Sequence, residues 1–193
     1  TIVYCNRLRE LYPDVPIIIG GIEASLRRLA HYDYWSNAVR RSILVDSQAD
    51  LLIFGMGERA LLEVAADLQQ GVAIGNIQDV QGTCYRVPDM DYVWDYLPLP
   101  AYAEAAKDKR KFAEAFKLEY LEQDAIRGRK LAQQNDEWCV VQNPPARPLS
   151  EEQMDEIYDL PYQRTWHPIY DKEGGIPAIQ EVQFSLVSQR GCF

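Results

Sequence analysis

Residues 16–28, Pro-Ile-Ile-Ile-Gly-Gly-Ile-Glu-Ala-Ser-Leu-Arg-Arg, and residues 49–60, Ala-Asp-Leu-Leu-Ile-Phe-Gly-Met-Gly-Glu-Arg-Ala, carry the fold. The first opens on a short, wholly apolar, β-branched run, Pro16 to Ile19, and the second carries the apolar run Leu51 to Phe54; both read as strands covered on both faces. Glycine stops each run, and helical character follows: Glu23 to Ala30 after the first, Glu58 to Gln70 after the second, with Leu61, Leu62, Ala65 and Leu68 on one stripe. Gly71 suits the stop of the second helix. Strand, glycine turn and helix thus occur twice, and Gly82 to Val87 adds a third strand. That order predicts an α/β fold, a doubly wound parallel sheet with ligands near the carboxyl ends of its strands.

The flanking segments fit around this unit. Ile2 to Leu11 reads as a helix closing before Pro13, and without a strand before it the sheet reads as truncated, with Thr1 at an internal cut. His31 to Asp46 has aromatic and basic residues without period and reads as an irregular excursion. From Ala101 to about Gln134 the composition favours one long helix, with a break near Gly128. Val140 to Pro148 reads as an extended, proline-rich linker. Ser150 and Gln153 form a capping box for a helix over Glu151 to Tyr158. Ile179, Val182, Phe184 and Leu186 read as a further strand, leading into Ser188-Gln189-Arg190-Gly191-Cys192-Phe193. The expected divisions are 1–97 for the α/β domain, 98–175 for the helical and proline-rich region, and 176–193 for the start of another domain.

Composition bounds the function. The 193 residues are 47% hydrophobic and carry a formal net charge of -9, which argues against a purely electrostatic grip on nucleic acid or an anionic membrane. The run Val15 to Ile22 is far shorter than the roughly 20 apolar residues a spanning helix needs. Four separated cysteines, Cys5, Cys84, Cys139 and Cys192, fit a reducing cytoplasm, and no C-x2-C pair offers a zinc site.

Neither glycine turn follows the G-x-G-x-x-G dinucleotide pattern, since Ala60 stands where the third glycine belongs. Glu23 and Glu58 at the helix starts would repel phosphate while favouring the helix dipole. His31 and His167 have no ligand partner at metal spacing and read as packed or hydrogen-bonding rings. Asp33, Asp46 and Asp50 are candidates for a carboxylate cluster without sequence evidence that they converge.

Taken together, PIIIGGIEASLRR (16–28), HYDYW (31–35), ADLLIFGMGERA (49–60), QNPPARPL (142–149), YDLPYQR (158–164), HPIY (167–170) and SQRGCF (188–193) resemble the YgiQ-type radical S-adenosylmethionine (SAM) proteins over nearly the whole length. The resemblance implies an N-terminal domain similar to cobalamin-binding modules, a helical cap, and the first strand of a radical SAM barrel. It implies that Cys192 is the first of three cysteines in a C-x3-C-x2-C loop. Three thiolates hold three irons of a [4Fe-4S] cluster, and the open iron chelates SAM. A reductant for the cluster and a substrate of unknown identity are the implied partners, and cleavage of SAM to a 5'-deoxyadenosyl radical is the implied chemistry. Cobalamin binding is not supported, because the D-x-H-x-x-G motif that supplies its axial histidine is missing. With one cluster cysteine, the fragment itself is expected to be inactive. The other reading is a non-catalytic α/β module that binds a ligand or partner at its glycine turns.

Overall fold

The computed structural model describes residues 1–91 and 93–187. The chain opens with α1 (Ile2–Leu11), which stops at Tyr12 ahead of Pro13. Strand β1 (Ile18–Ile19), α2 (Gly21–Leu26), β2 (His31–Asp33), β3 (Ala38–Arg40), α3 (Ile43–Asp46), β4 (Leu51–Ile53) and α4 (Glu58–Gln69) follow. Next come β5 (Thr83–Val87), β6 (Tyr96–Pro98), α5 (Tyr102–Ala105), α6 (Lys109–Leu121), β7 (Lys130–Asn135) and β8 (Trp138–Gln142). The last elements are α7 (Glu151–Tyr158) and α8 (Ile179–Val182).

Six strands form one sheet in the order β1-β4-β5-β8-β7-β6. Period-two alternation sorts their side chains. Ile19, Leu52, Phe54, Cys84, Leu131 and Val140 point to the face covered by α1, α2, α3 and α6. Leu51, Ile53, Tyr85, Ala132, Cys139 and Val141 point to the other face, where Ala60 and Val64 of α4 pack with Ile77 and Val80. The result is an α/β fold in three layers, with a core on each side of the sheet.

The sheet is mixed, which corrects the expectation of a doubly wound parallel one. Only β1 with β4 and β6 with β7 pair in parallel; β4–β5, β5–β8 and β8–β7 are antiparallel. The cause lies after α4. That helix returns the chain to the amino end of β4, and residues 72–82 then cross the sheet again, burying Ile77 and Val80. Strand β5 therefore starts beside the carboxyl end of β4, with Thr83 opposite Ile53, and must run the other way.

Three segment readings are likewise corrected. The excursion after His31 contains an antiparallel ribbon, β2 with β3. The long helix expected over 101–134 is two helices and a strand: Asp108 caps α6 by accepting from Arg110 N at 2.8 Å. The Asp124 carboxylate then accepts from Ile126 N and Arg127 N at 2.8 and 2.7 Å and turns the chain into β7. The supposed linker begins inside β8, and its residue Asn143 still pairs with the sheet through Thr83 O. These strands join the same sheet, so the first compact unit runs from Thr1 to Pro148.

The second unit begins at Leu149. Ser150 Oγ accepts from Gln153 N at 3.2 Å and Ser150 N donates to Gln153 Oε1 at 3.1 Å, so the expected capping box opens α7. His167 caps a 3-10 helix over Pro168–Glu173, which Gly174 ends at φ 85°. Where a strand was expected over 179–186, α8 occupies Ile179–Val182, and no strand follows among the described residues. An isolated apolar run without a partner strand has no ladder to join.

Candidate functional site

Parallel pairing of β1 with β4 brings the two glycine turns to the same sheet edge. Gly21 and Gly55 take φ of +82° and +69°, a region that L side chains rarely adopt. The Ser25 hydroxyl joins the turns: it donates to Gly21 O at 2.8 Å and accepts from Gly55 N at 3.1 Å. A Cβ on Gly57 would lie 2.8 Å from Ile53 Cγ2, so this glycine permits close packing of α4 on β4. Glu23 and Glu58 stand in the first turns of α2 and α4, as expected, and present negative charge there. One backbone group from each turn is thus bound to the Ser25 hydroxyl.

Beneath them lies a polar cluster inside the sheet-facing layer. Arg28, which follows α2 and is buried, donates from Nε to Gln142 Oε1 at 2.7 Å. Its Nη2 pairs with Glu119 of α6 at 2.6 Å, and Nη1 donates to Ser25 O. Its guanidinium also lies over the Phe54 ring, 4.9 Å from the centroid. Burial raises the Glu119 pKa above the ordinary carboxylate value, against the opposing pull of Arg28. Gln142 Nε2 is buried without a hydrogen-bond partner. The buried amides of Gln133 and Asn135 extend the polar layer: Gln133 Oε1 accepts from Ala30 N at 2.7 Å, and Asn135 Oδ1 accepts from Ser42 N at 3.0 Å.

This cluster was not readable from sequence. Arg28 and Gln142 each sit in a quoted motif, yet they are separated by 114 positions, and Glu119 looks like one more charge on an amphipathic helix. No local spacing marks such a set.

The candidates named from sequence fall in different places. Cys192 lies outside the described residues. Cys5, Cys84 and Cys139 are free, buried and dispersed. Burial pushes the Cys84 thiol up to about 12 and the Cys139 thiol up to about 11, far from ready thiolates. No group of three His, Cys, Asp or Glu that could hold a metal occurs among the described residues. His31 Nδ1 is 3.1 Å from Leu29 O, and its pKa is lowered, chiefly by burial. His167 Nδ1 accepts from Ile169 N, so both rings hydrogen-bond to backbone as expected.

The aspartates bind different arginines. Asp50 pairs with Arg9 at 2.6 Å and accepts from Ile17 N at 2.7 Å. Asp46 pairs with Arg41, which also reaches Asp136 at 3.0 Å. Asp33 accepts from Ser36 and faces Arg27 and Arg40, and the bonds from Ser36 lead in holding its pKa below the usual carboxylate range. Asp33 and Asp46 share a cleft of about 150 Å³ with Arg27, His31 and Arg40. A larger cleft of about 440 Å³ is lined by Arg41, Asp46, Gln48, Arg86 and Trp138, with Arg86 stacked 4.5 Å from the Trp138 ring centroid. Both clefts are lined by charges of both signs, Glu137 adding a second carboxylate to the larger one.

The first unit is therefore an α/β domain in which most of the buried polar side chains named above pair internally, while Gln142 Nε2 stays unpaired. The chain belongs to the Radical SAM N-terminal family, whose family model matches residues 1–185. It is 57% identical over 192 residues to a UPF0313 protein of Clostridium botulinum strain Loch Maree, covering 100% of this chain and 30% of that protein. It is also 57% identical over 193 residues to a UPF0313 protein of Clostridium perfringens strain 13, covering 100% and 29%. These relatives bear out the YgiQ-type resemblance. The chain thus spans about 30% of the length of the curated relatives it matches. No solved structure matches it. No helix among the described residues is long and apolar enough to cross a membrane.

Proposed function

We propose that this chain is the N-terminal part of a radical SAM enzyme, with a reaction and substrate that are open. The observation carrying this reading is the family match across residues 1–185, together with relatives more than three times as long. The residues described here do not fit a [4Fe-4S] cluster by themselves. Their three cysteines are dispersed and held as thiols by burial. In this reading Cys192 supplies the first of three thiolates, the remaining two follow it in the full-length protein, and the cluster with bound SAM supplies the radical chemistry. The segment from 176 onward becomes the first strand of the catalytic barrel once neighbouring strands exist to pair with it. Cobalamin itself is not part of the proposal. A cytoplasmic location and a reductant for the cluster belong to the same reading.

Anaerobic iron–sulfur reconstitution of the full-length protein tests it. Wild-type protein should bind about four irons per chain with charge-transfer absorption in the visible, as expected for a [4Fe-4S] site. Cys192→Ala should lose most of both. Unchanged cluster content in the variant removes Cys192 as a ligand, and failure of the wild type to hold a cluster removes the enzyme assignment.

A further inference from the structure

Arg86 of β5 stands opposite Val140 of β8, so alternation along the strands puts Cys84, Arg86, Val140 and Trp138 on one face of the sheet, the face that α3 covers. Helix α3 is a single turn that stops at Asp46, and Gln48 then turns the chain at φ 55°. Beyond that turn lies the larger cleft, with Arg86 and Trp138 in its wall. Its volume of about 440 Å³ falls in the range of small-molecule sites.

The charges around this cleft are unequally matched. Arg41 is saturated, holding Asp46 at 2.8 Å and Asp136 at 3.0 Å. Arg86 and Glu137 line the same cleft, yet among the described residues neither has an ion-pair partner. The contact of Arg86 to Gln48 O is 3.5 Å, longer than a normal N–H···O bond. Its guanidinium is fixed by its face on the Trp138 ring, which leaves its N–H groups free to bind in its own plane. Burial leads in lowering the Arg86 pKa, the cost of holding this charge away from water. Glu137 is exposed in the turn between β7 and β8, where Asn135 pairs with Trp138.

The unmatched pair defines the ligand. With Arg41 matched by Asp46 and Asp136, the cleft holds no surplus positive charge for a phosphate dianion. A simple carboxylate would leave Glu137 unmatched, and a simple ammonium would leave Arg86. A molecule carrying both groups leaves neither, and a carboxylate fits the two-point fork of a guanidinium.

We propose that this cleft binds a small amphoteric molecule, with its carboxylate on Arg86, its ammonium toward Glu137, and its carbon chain against Trp138 and Val45. The proposal goes beyond the radical SAM reading and does not depend on Cys192 or a cluster.

Calorimetric titration of the purified full-length protein tests it. The probes are β-alanine, γ-aminobutyrate, δ-aminovalerate and ε-aminocaproate, which differ in the spacing of the two charges; hexanoate and hexylammonium are the single-charge controls. At least one amphoteric probe should bind saturably in the millimolar range or tighter, with both controls about tenfold weaker or worse. Arg86→Gln should weaken that binding about tenfold, the loss expected for a charge-assisted contact. Glu137→Gln, at an exposed turn where the fold is not at stake, should weaken it about threefold. No saturable binding by any amphoteric probe, equal binding of either control, or unchanged affinity in Glu137→Gln would each overturn the proposal.

Discussion

The Arg28 guanidinium lies 2.6 Å from the Glu119 carboxylate within the layer between α6 and the sheet, and both groups are largely shielded from water. Breaking a buried pair strands a charge that water no longer stabilises. Arg28→Met should destabilise the first unit by about 3–5 kcal/mol, whereas Arg28→Met with Glu119→Leu should recover most of that loss. Hydrogen exchange of the β5 and β8 amides in the full-length protein measures it. Equal exchange in the single and double variants would contradict the coupling.

Glu119 also sets a pH dependence. Its folded pKa lies above its ordinary value of 4.5, chiefly through burial. The folded state therefore binds this proton more tightly than the unfolded state. The stability from that binding is fully present below pH 4.5 and is lost as pH rises through the folded pKa. Glu119→Gln should flatten this part of the stability profile toward neutrality, read by denaturant midpoints at a series of pH values. An unchanged slope would exclude Glu119 as its source.

The buried thiols make a chemical prediction. With Cys84 raised to about 12 and Cys139 to about 11, neither should react with iodoacetamide at pH 8 until the protein unfolds. Raised thiol pKa values also mean that stability from these groups is lost as pH climbs past the ordinary value of 9.0. Peptide mapping after native labelling checks the first expectation, and rapid modification at Cys84 would refute it.

Two glycines should respond unequally to alanine. A Cβ at Gly128 would fall 2.5 Å from both Asp124 O and Glu122 O, where only backbone movement gives relief. Gly128→Ala should cost about 2 kcal/mol or more. At Gly75 nothing lies within 4 Å, and Gly75→Ala should stay within about 0.5 kcal/mol of wild type. Denaturant midpoints of the two variants make the comparison.

Asn143 offers a separate test on the other side of β8. Its Nδ2 donates to Gln78 O, Val80 O and Thr83 Oγ1 at 3.0 to 3.1 Å, tying the chain beyond β8 to the crossing segment before β5. Asn143→Leu should destabilise by about 2–3 kcal/mol, with faster exchange concentrated over residues 77–83. A uniform change across the sheet would argue for a different role.

The amino-acid sequence by itself determined the α/β class, strands β1, β4 and β5, helices α1, α4 and α7, and the family. Apolar runs ending in glycine, and a capping pair at Ser150 and Gln153, are local signals that need no partner to be read. Tertiary structure alone decided the mixed sheet and the hairpin of β7 and β8. Strand β7, Lys130-Leu-Ala-Gln-Gln-Asn135, buries two amides where a core strand ordinarily shows apolar residues. Gln133 and Asn135 are stable there because Ala30 N and Ser42 N, about a hundred residues earlier, donate to them. A buried polar group is tolerated only when its partner is present. That partner is supplied by the fold, so no window of sequence could disclose the strand or the Arg28–Glu119 pair.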